Sequence, residues 1–148
     1  MRVMYTNIDG ILSSVLEVRD YLKESKPDVL CLTETKLKEE IQLSFKEEGY
    51  NNWRRDRKGK GGGGIMIIYV EEVQYGYGMA EIISIIIRNW GKRRRIILTY
   101  VPPKTNAWKL EEHKEMQKEV LECLDSMIRK DNKILLIGDF NCKKRRWK

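Results

Sequence analysis

Cysteine is sparse in this chain, and its three copies, Cys31, Cys123 and Cys142, are odd in number and widely spaced. That spacing argues against a disulfide framework and against a CxxC zinc site, and leaves reduced structural thiols. No apolar run approaches the ~20 residues that a membrane span needs. The opening Met1-Arg2-Val3-Met4-Tyr5 turns polar too quickly for a secretory signal. The expectation is one domain of a soluble intracellular protein that is not secreted, nuclear or cytoplasmic, with no membrane association and no small-molecule cofactor. Histidine is nearly absent too, with His113 alone in the sequence.

The formal charge of +7 invites a nucleic-acid reading, but its placement is uneven. Lys143, Lys144, Arg145, Arg146 and Lys148 supply +5 of it, leaving +2 for the other 142 residues. The expected organisation is a domain over 1–142 and a basic tail over 143–148. The tail reads either as an accident of the chain end or as a localisation or nucleic-acid patch. Two local clusters remain, Arg54, Arg55, Arg57, Lys58 and Lys60 around Asp56, and residues 92–95. Each could meet phosphate, or be a solvated turn.

Hydrophobic periodicity divides the rest. A short strand opens over 3–7. Leu12, Val15, Val18 and Leu22 recur at helical spacing until Pro27. Val29-Leu30-Cys31-Leu32 has the composition of a buried strand, and a charged, helical or irregular stretch follows to Gly49. The glycine run 61–64 precedes a strand over 65–70; no Gly-Lys-Ser/Thr follows it, so it is not a P-loop. Two β-branched runs, 81–88 and 95–101, flank a turn-like 89–92 and predict a hairpin. The spacing predicts a second helix over 106–129, with Leu110, Gln117, Leu121, Leu124 and Ile128 on one stripe and Met116 and Val120 beside it. A last buried strand over 134–137 runs into Gly138-Asp139-Phe140-Asn141. Strands outnumber helices, which predicts a layered α/β domain with helices on the outer face. Trp53, Trp90, Trp108 and Trp147 are too scattered for a stacking platform.

Polar residues stand where buried strands stop: Asn7 and Asp9 after the first, Glu34 after the second, Tyr100 near the end of the 95–101 run, Asp139 and Asn141 after the last. Strand ends of a layered α/β fold gather on one edge, where sites form. A lone carboxylate there is more often a cap or turn former; four such places together suit phosphodiester hydrolysis. Glu34 and Asp9 are hard oxygen ligands of the kind Mg²⁺ prefers. Asp139 could hold or activate a water, Asn7 and Asn141 could fix phosphate oxygens without added negative charge, and Tyr100 could donate to one.

Asn7-Ile8-Asp9-Gly10, Thr33-Glu34-Thr35-Lys36, Thr99-Tyr100-Val101-Pro102 and Gly138-Asp139-Phe140-Asn141 resemble, in order, the signatures of the endonuclease/exonuclease/phosphatase superfamily. The Glu-Thr-Lys and Tyr-Val-Pro forms are similar to its apurinic/apyrimidinic endonuclease branch. Gly49-Tyr50, the arginines at 54–57, the glycine run and Tyr100-Val101-Pro102-Pro103 resemble the endonuclease domains of non-LTR, LINE-type retrotransposons. The resemblance implies a two-sheet sandwich flanked by helices, here partial, with C-terminal strands missing. It implies Mg²⁺ or Mn²⁺ at Glu34 with Asp9 nearby, Asn7 orienting the catalytic groups, Tyr100 on the phosphate, and Asp139 with Asn141 placing water and phosphate. DNA is the implied partner, and full-length relatives carry a reverse transcriptase domain.

The same resemblance calls for a later Asp or Asn and a closing Ser-Asp-His, which this sequence does not contain. His113 lies mid-helix at the edge of an apolar stripe and is expected to be a surface or boundary residue. Losing a general acid–base or charge-stabilising group costs ~10²–10⁴-fold, so the expectation is a DNA endonuclease domain that is weakly active or inactive as this chain. Weaker alternatives are a non-enzymatic remnant that binds nucleic acid or a protein through its basic tail and an exposed sheet edge, and a phosphatase or sphingomyelinase branch of the superfamily.

Overall fold

Among the described residues eight strands form two sheets, most of them from the apolar runs. They are β1 (Val3–Asn7), β2 (Val29–Thr33), β3 (Asn51–Arg55), β4 (Ile65–Tyr69), β5 (Val73–Tyr75), β6 (Glu81–Asn89), β7 (Lys92–Tyr100) and β8 (Ile134–Asp139). Helix α1 (Val15–Ser25) follows a 3-10 turn (Ile11–Ser14), and α2 is Leu110–Ile128. The computed structural model describes residues 1–69, 73–89, 92–129 and 133–141. Cys142 and the basic tail 143–148 lie outside them.

Both sheets follow one plan. The first has the order β1-β2-β4-β3 and the second β5-β6-β7-β8. Each has a parallel pair at one side, β1 with β2 and β7 with β8, and is otherwise antiparallel. Each parallel pair needs a crossover, and α1 and α2 supply it. The expected hairpin of β6 and β7 is present, paired from Glu81↔Tyr100 to Asn89↔Lys92.

Strand periodicity assigns the layers. Val29 and Cys31 of β2, Ile65, Ile67 and Tyr69 of β4, Ile83, Ile85 and Ile87 of β6, and Ile96, Leu98 and Tyr100 of β7 meet between the sheets. The alternate residues Leu30, Leu32, Met66 and Ile68 pack with Val18 and Leu22 of α1 and with Phe45. Ile82 and Ile97 pack with Met116, Val120 and Met127 of α2. Both faces of the central strands β2, β4, β6 and β7 are buried, which is why they read as continuous apolar runs; β8, expected to be buried, is instead an edge strand with Leu135 and Leu136 exposed. A fully buried isoleucine contributes about 1.5–3 kcal/mol, and Ile65, Ile67, Ile83, Ile85 and Ile96 of the inter-sheet layer are all fully buried. The two-sheet sandwich flanked by helices is as expected. Burial pushes the Cys31 thiol up to about 12, in keeping with an inert structural thiol.

Several details differ from the sequence reading. Helix α2 begins at Leu110, and its buried stripe is His113, Met116, Val120, Cys123, Leu124 and Met127. Leu110, Leu121 and Ile128, expected inside, are exposed. Trp108, ahead of the helix, is buried in the same cluster as that stripe. His113 is buried, with Nε2 2.9 Å from the Pro102 carbonyl and its ring edge-on to Trp108. Residues 35–49 are irregular apart from a 3-10 turn at Lys46–Glu48. Among the described residues no helix is long and apolar enough to cross a membrane.

Candidate active site

The two parallel pairs deliver their carboxyl ends to the same place. Asn7 ends β1 opposite Thr33, the last residue of β2. Tyr100 ends β7 opposite Asp139, the last residue of β8. The Tyr100 hydroxyl donates to Glu34 Oε1 at 3.1 Å, a contact between residues 66 apart in sequence that joins the two sheets.

The turns at these ends hold the side chains in place. Asn7 Oδ1 accepts the Asp9 backbone N–H at 3.1 Å, an Asx turn that carries Asp9 at φ +47°. The chain then runs beside the other loop, with Ile8 N–H donating to the Thr33 carbonyl, Gly10 N–H to Glu34 and Ile11 N–H to Thr35. Glu34 and Lys36 both take φ +53°. Lys36 N–H donates to the Gly63 carbonyl at 2.8 Å and Thr35 N–H to Gly64 at 3.2 Å. The glycine run thus backs the Glu34 loop. Asp139 Oδ1 accepts the Asn141 N–H at 3.1 Å in a second Asx turn, and Asn141 Nδ2 donates to the Val101 carbonyl at 3.0 Å.

Tyr100 is buried. That burial, then the charge of Glu34, push its phenol up to about 12 against the opposing pull of Arg57. It is a neutral hydrogen-bond donor at any ordinary pH. Asp9 is bonded to the Lys36 ammonium, and this bond raises Lys36 above the usual lysine range.

The donor set suits a hard divalent ion held by few protein ligands. Among the described residues no three His, Cys, Asp or Glu side chains form a metal-holding group. Mg²⁺ commonly takes one or two carboxylates and keeps several waters. Glu34 fits that role; Asp9 joins only if Lys36 releases it.

The arginine cluster is neither a free phosphate clamp nor a solvated turn. Arg54 donates to the carbonyls of Ile41, Lys38 and Glu39 and pairs with Asp56. Arg55 donates to Ala80 and Gly78. Arg57 pairs with the buried Glu81, whose carboxyl is raised by burial against the counteracting Arg57 charge. Carbonyl partners leave a guanidinium charged. A cleft of about 900 Å³ is lined by Lys38, Arg54, Arg55, Arg57, Lys58 and Lys60 together with Glu39, Glu40 and Asp56, and Arg54, Arg57 and Lys60 are paired there with Asp56, Glu81 and Glu112. The sequence reading missed Glu81 and Trp108 as neighbours of the site. A single carboxylate opening the apolar run 81–88 was the available signal.

Comparison with known proteins agrees with the two-sheet fold. A 3' phosphatase from Neisseria, solved with a product DNA hairpin, superposes with a TM-score of 0.76 at 18% identity, over 95% of this chain and 58% of that one. An AP endonuclease from Archaeoglobus fulgidus gives 0.65 at 27% identity, over 95% and 57%. The human Nocturnin catalytic domain, solved with a sulfate anion, gives 0.66 at 18%, over 97% and 64%. The chain thus spans about three-fifths of the length of these structures. No curated protein sequence matches it. The model of the Endonuclease/Exonuclease/phosphatase family matches residues 4–148, and its strand-end polar residues meet across two sheets as described above, so the chain belongs to that family.

Proposed function

We propose that this chain is part of a divalent-metal-dependent DNA endonuclease of the non-LTR retrotransposon type, which nicks the target strand for an associated reverse transcriptase. The Tyr100–Glu34 hydrogen bond between the two sheets is the observation that carries the reading. Support for DNA as substrate comes from the lysines and arginines that line the cleft beside the site and from the hairpin held by the Neisseria neighbour.

In this reading Glu34, with Asp9, holds Mg²⁺ or Mn²⁺, which would stabilise charge on the phosphate. Tyr100 turns its hydroxyl from Glu34 to a phosphate oxygen. Asp139 takes a proton from the attacking water, its carboxylate fixed by the Asn141 N–H. Asn7 braces the turn that carries Asp9. Water oxygen bonds to phosphorus, the opposite P–O bond breaks, and the leaving alkoxide takes a proton from solvent water. Without a closing Ser-Asp-His, the chain alone nicks weakly.

Saturating Mn²⁺ should raise the melting temperature modestly, by linkage, and Glu34→Gln should remove the rise. No rise in the unsubstituted chain would sink the metal reading. Nicking of supercoiled plasmid by residues 1–148 should be slight; robust nicking would overturn the claim of weak activity. DNA binding should weaken steeply with salt, and deleting residues 143–148 should flatten that slope. An unchanged slope would remove the tail from the contact.

A further inference from the structure

Arg57 has no part in the reaction just described, yet its surroundings are built around the site. Its Nε and Nη2 donate to the two oxygens of Glu81 at 3.2 and 3.3 Å. Its Nη1 donates to the Gly61 carbonyl at 3.3 Å. The guanidinium carbon lies 5.4 Å from the centre of the Tyr100 ring and 5.9 Å from that of Trp108. A Cβ at Gly63 would stand 2.2 Å from that carbon, so the glycine run leaves room for the guanidinium.

The register explains what this does. Glu81 on β6 is the direct cross-strand neighbour of Tyr100 on β7. Bidentate pairing fixes both the position and the plane of a guanidinium. Anchored on β6, that guanidinium lies over the ring of the next strand, and Trp108, ahead of α2, is packed against the same cation. Tyr100 must reach across the gap between sheets to meet Glu34. A hydroxyl at the far end of an aromatic ring moves with any tilt of that ring, so holding the ring holds the hydrogen bond.

We propose that Arg57 is a positioning residue that sets the Tyr100 ring so that its hydroxyl meets Glu34. The inference rests on the reading of Tyr100 and Glu34 as the active site. The planar face acts here as well as the charge. Arg57→Lys keeps the charge but lacks the stacking plane and the paired donors, so it separates this role from a plain ion pair.

The test is ¹⁹F NMR of the full chain carrying 3-fluorotyrosine, with the Tyr100 line among the seven tyrosines assigned through Tyr100→Phe. Arg57→Lys should shift the Tyr100 line, as should Glu34→Gln. The two together should not give the sum of the single shifts, because one contact depends on the other. A Tyr100 line unmoved by Arg57→Lys, or strictly additive shifts, would overturn the proposal. If Arg57→Lys does not fold, Arg57→Gln with Glu81→Gln is read against Glu81→Gln by the same criteria. Mn²⁺ addition separates the two ideas. Broadening of the Tyr100 line that requires Glu34 supports metal at the site. Its absence sinks the metal reading, while the shifts still decide the role of Arg57.

Discussion

Replacing Arg57 with methionine should cost the fold about 3–5 kcal/mol, the range for removing one partner of a buried ion pair. The side chains of Arg57 and Glu81 are only 12% and 4% exposed, so Glu81 would be left charged and poorly solvated. For a chain of this length that loss lowers Tm by roughly 6–20 °C. The Glu81 carboxyl is raised in the folded state, chiefly by burial. The folded protein therefore holds that proton more tightly than the unfolded chain does. Losing Arg57 raises that carboxyl further, so the deficit is full above the folded pKa of Glu81 in the variant and shrinks as pH falls through it. Urea unfolding at neutral and mildly acidic pH reads both effects. Arg57→Met with Glu81→Gln should recover most of the stability, since the amide oxygen still accepts the Gly64 N–H. A single-variant loss below about 1 kcal/mol, the level of an exposed pair, would show that the pair is effectively solvated.

Gly138→Ala should be nearly as damaging, for a steric reason. A Cβ at Gly138 would stand 1.9 Å from the Thr99 carbonyl oxygen and 2.9 Å from its carbon. Both are backbone atoms of the paired strand β7, so neither can rotate aside. The strands must part at the Thr99↔Gly138 pair, one residue before Tyr100↔Asp139. Overpacking and weakened ladder bonds together suggest about 2–4 kcal/mol. The change is also local to the site. Hydrogen exchange at the Val101 amide, which donates to the Asp139 carbonyl, should speed up more than exchange in β2. Equal exchange in both strands, with native stability, would mean that the strands absorb the methyl without parting.

Most strands and the residues of the strand-end motifs were legible in the amino-acid order alone. The apolar runs of β2, β4, β6 and β7 were legible because both faces of each strand are buried, so composition alone reveals them. Glu34, Tyr100 and Asp139 stood out because a polar residue ending such a run breaks its pattern. Strand β3, Asn-Asn-Trp-Arg-Arg, was not legible. Its partner β4 supplies the pairing, and its arginines spend their donors on carbonyls of other segments. The buried face of α2 was misplaced, since the stripe that turns inward is the one that meets Ala80, Ile82, Ile97 and Trp108, all outside the helix.

The fate of the charges depends on contacts between distant segments. Arg54, Arg55 and Arg57 look alike in sequence, yet each is held by a different part of the molecule. Local sequence sets a side chain's chemistry and strand position. The partner that neutralises, stacks on or buries it arrives from tens of residues away, as Glu34 does for Tyr100 and Glu81 for Arg57. Whether a basic cluster is a free phosphate clamp or a staple depends on those distant groups, because charge energies are governed by separation and solvent exposure in space.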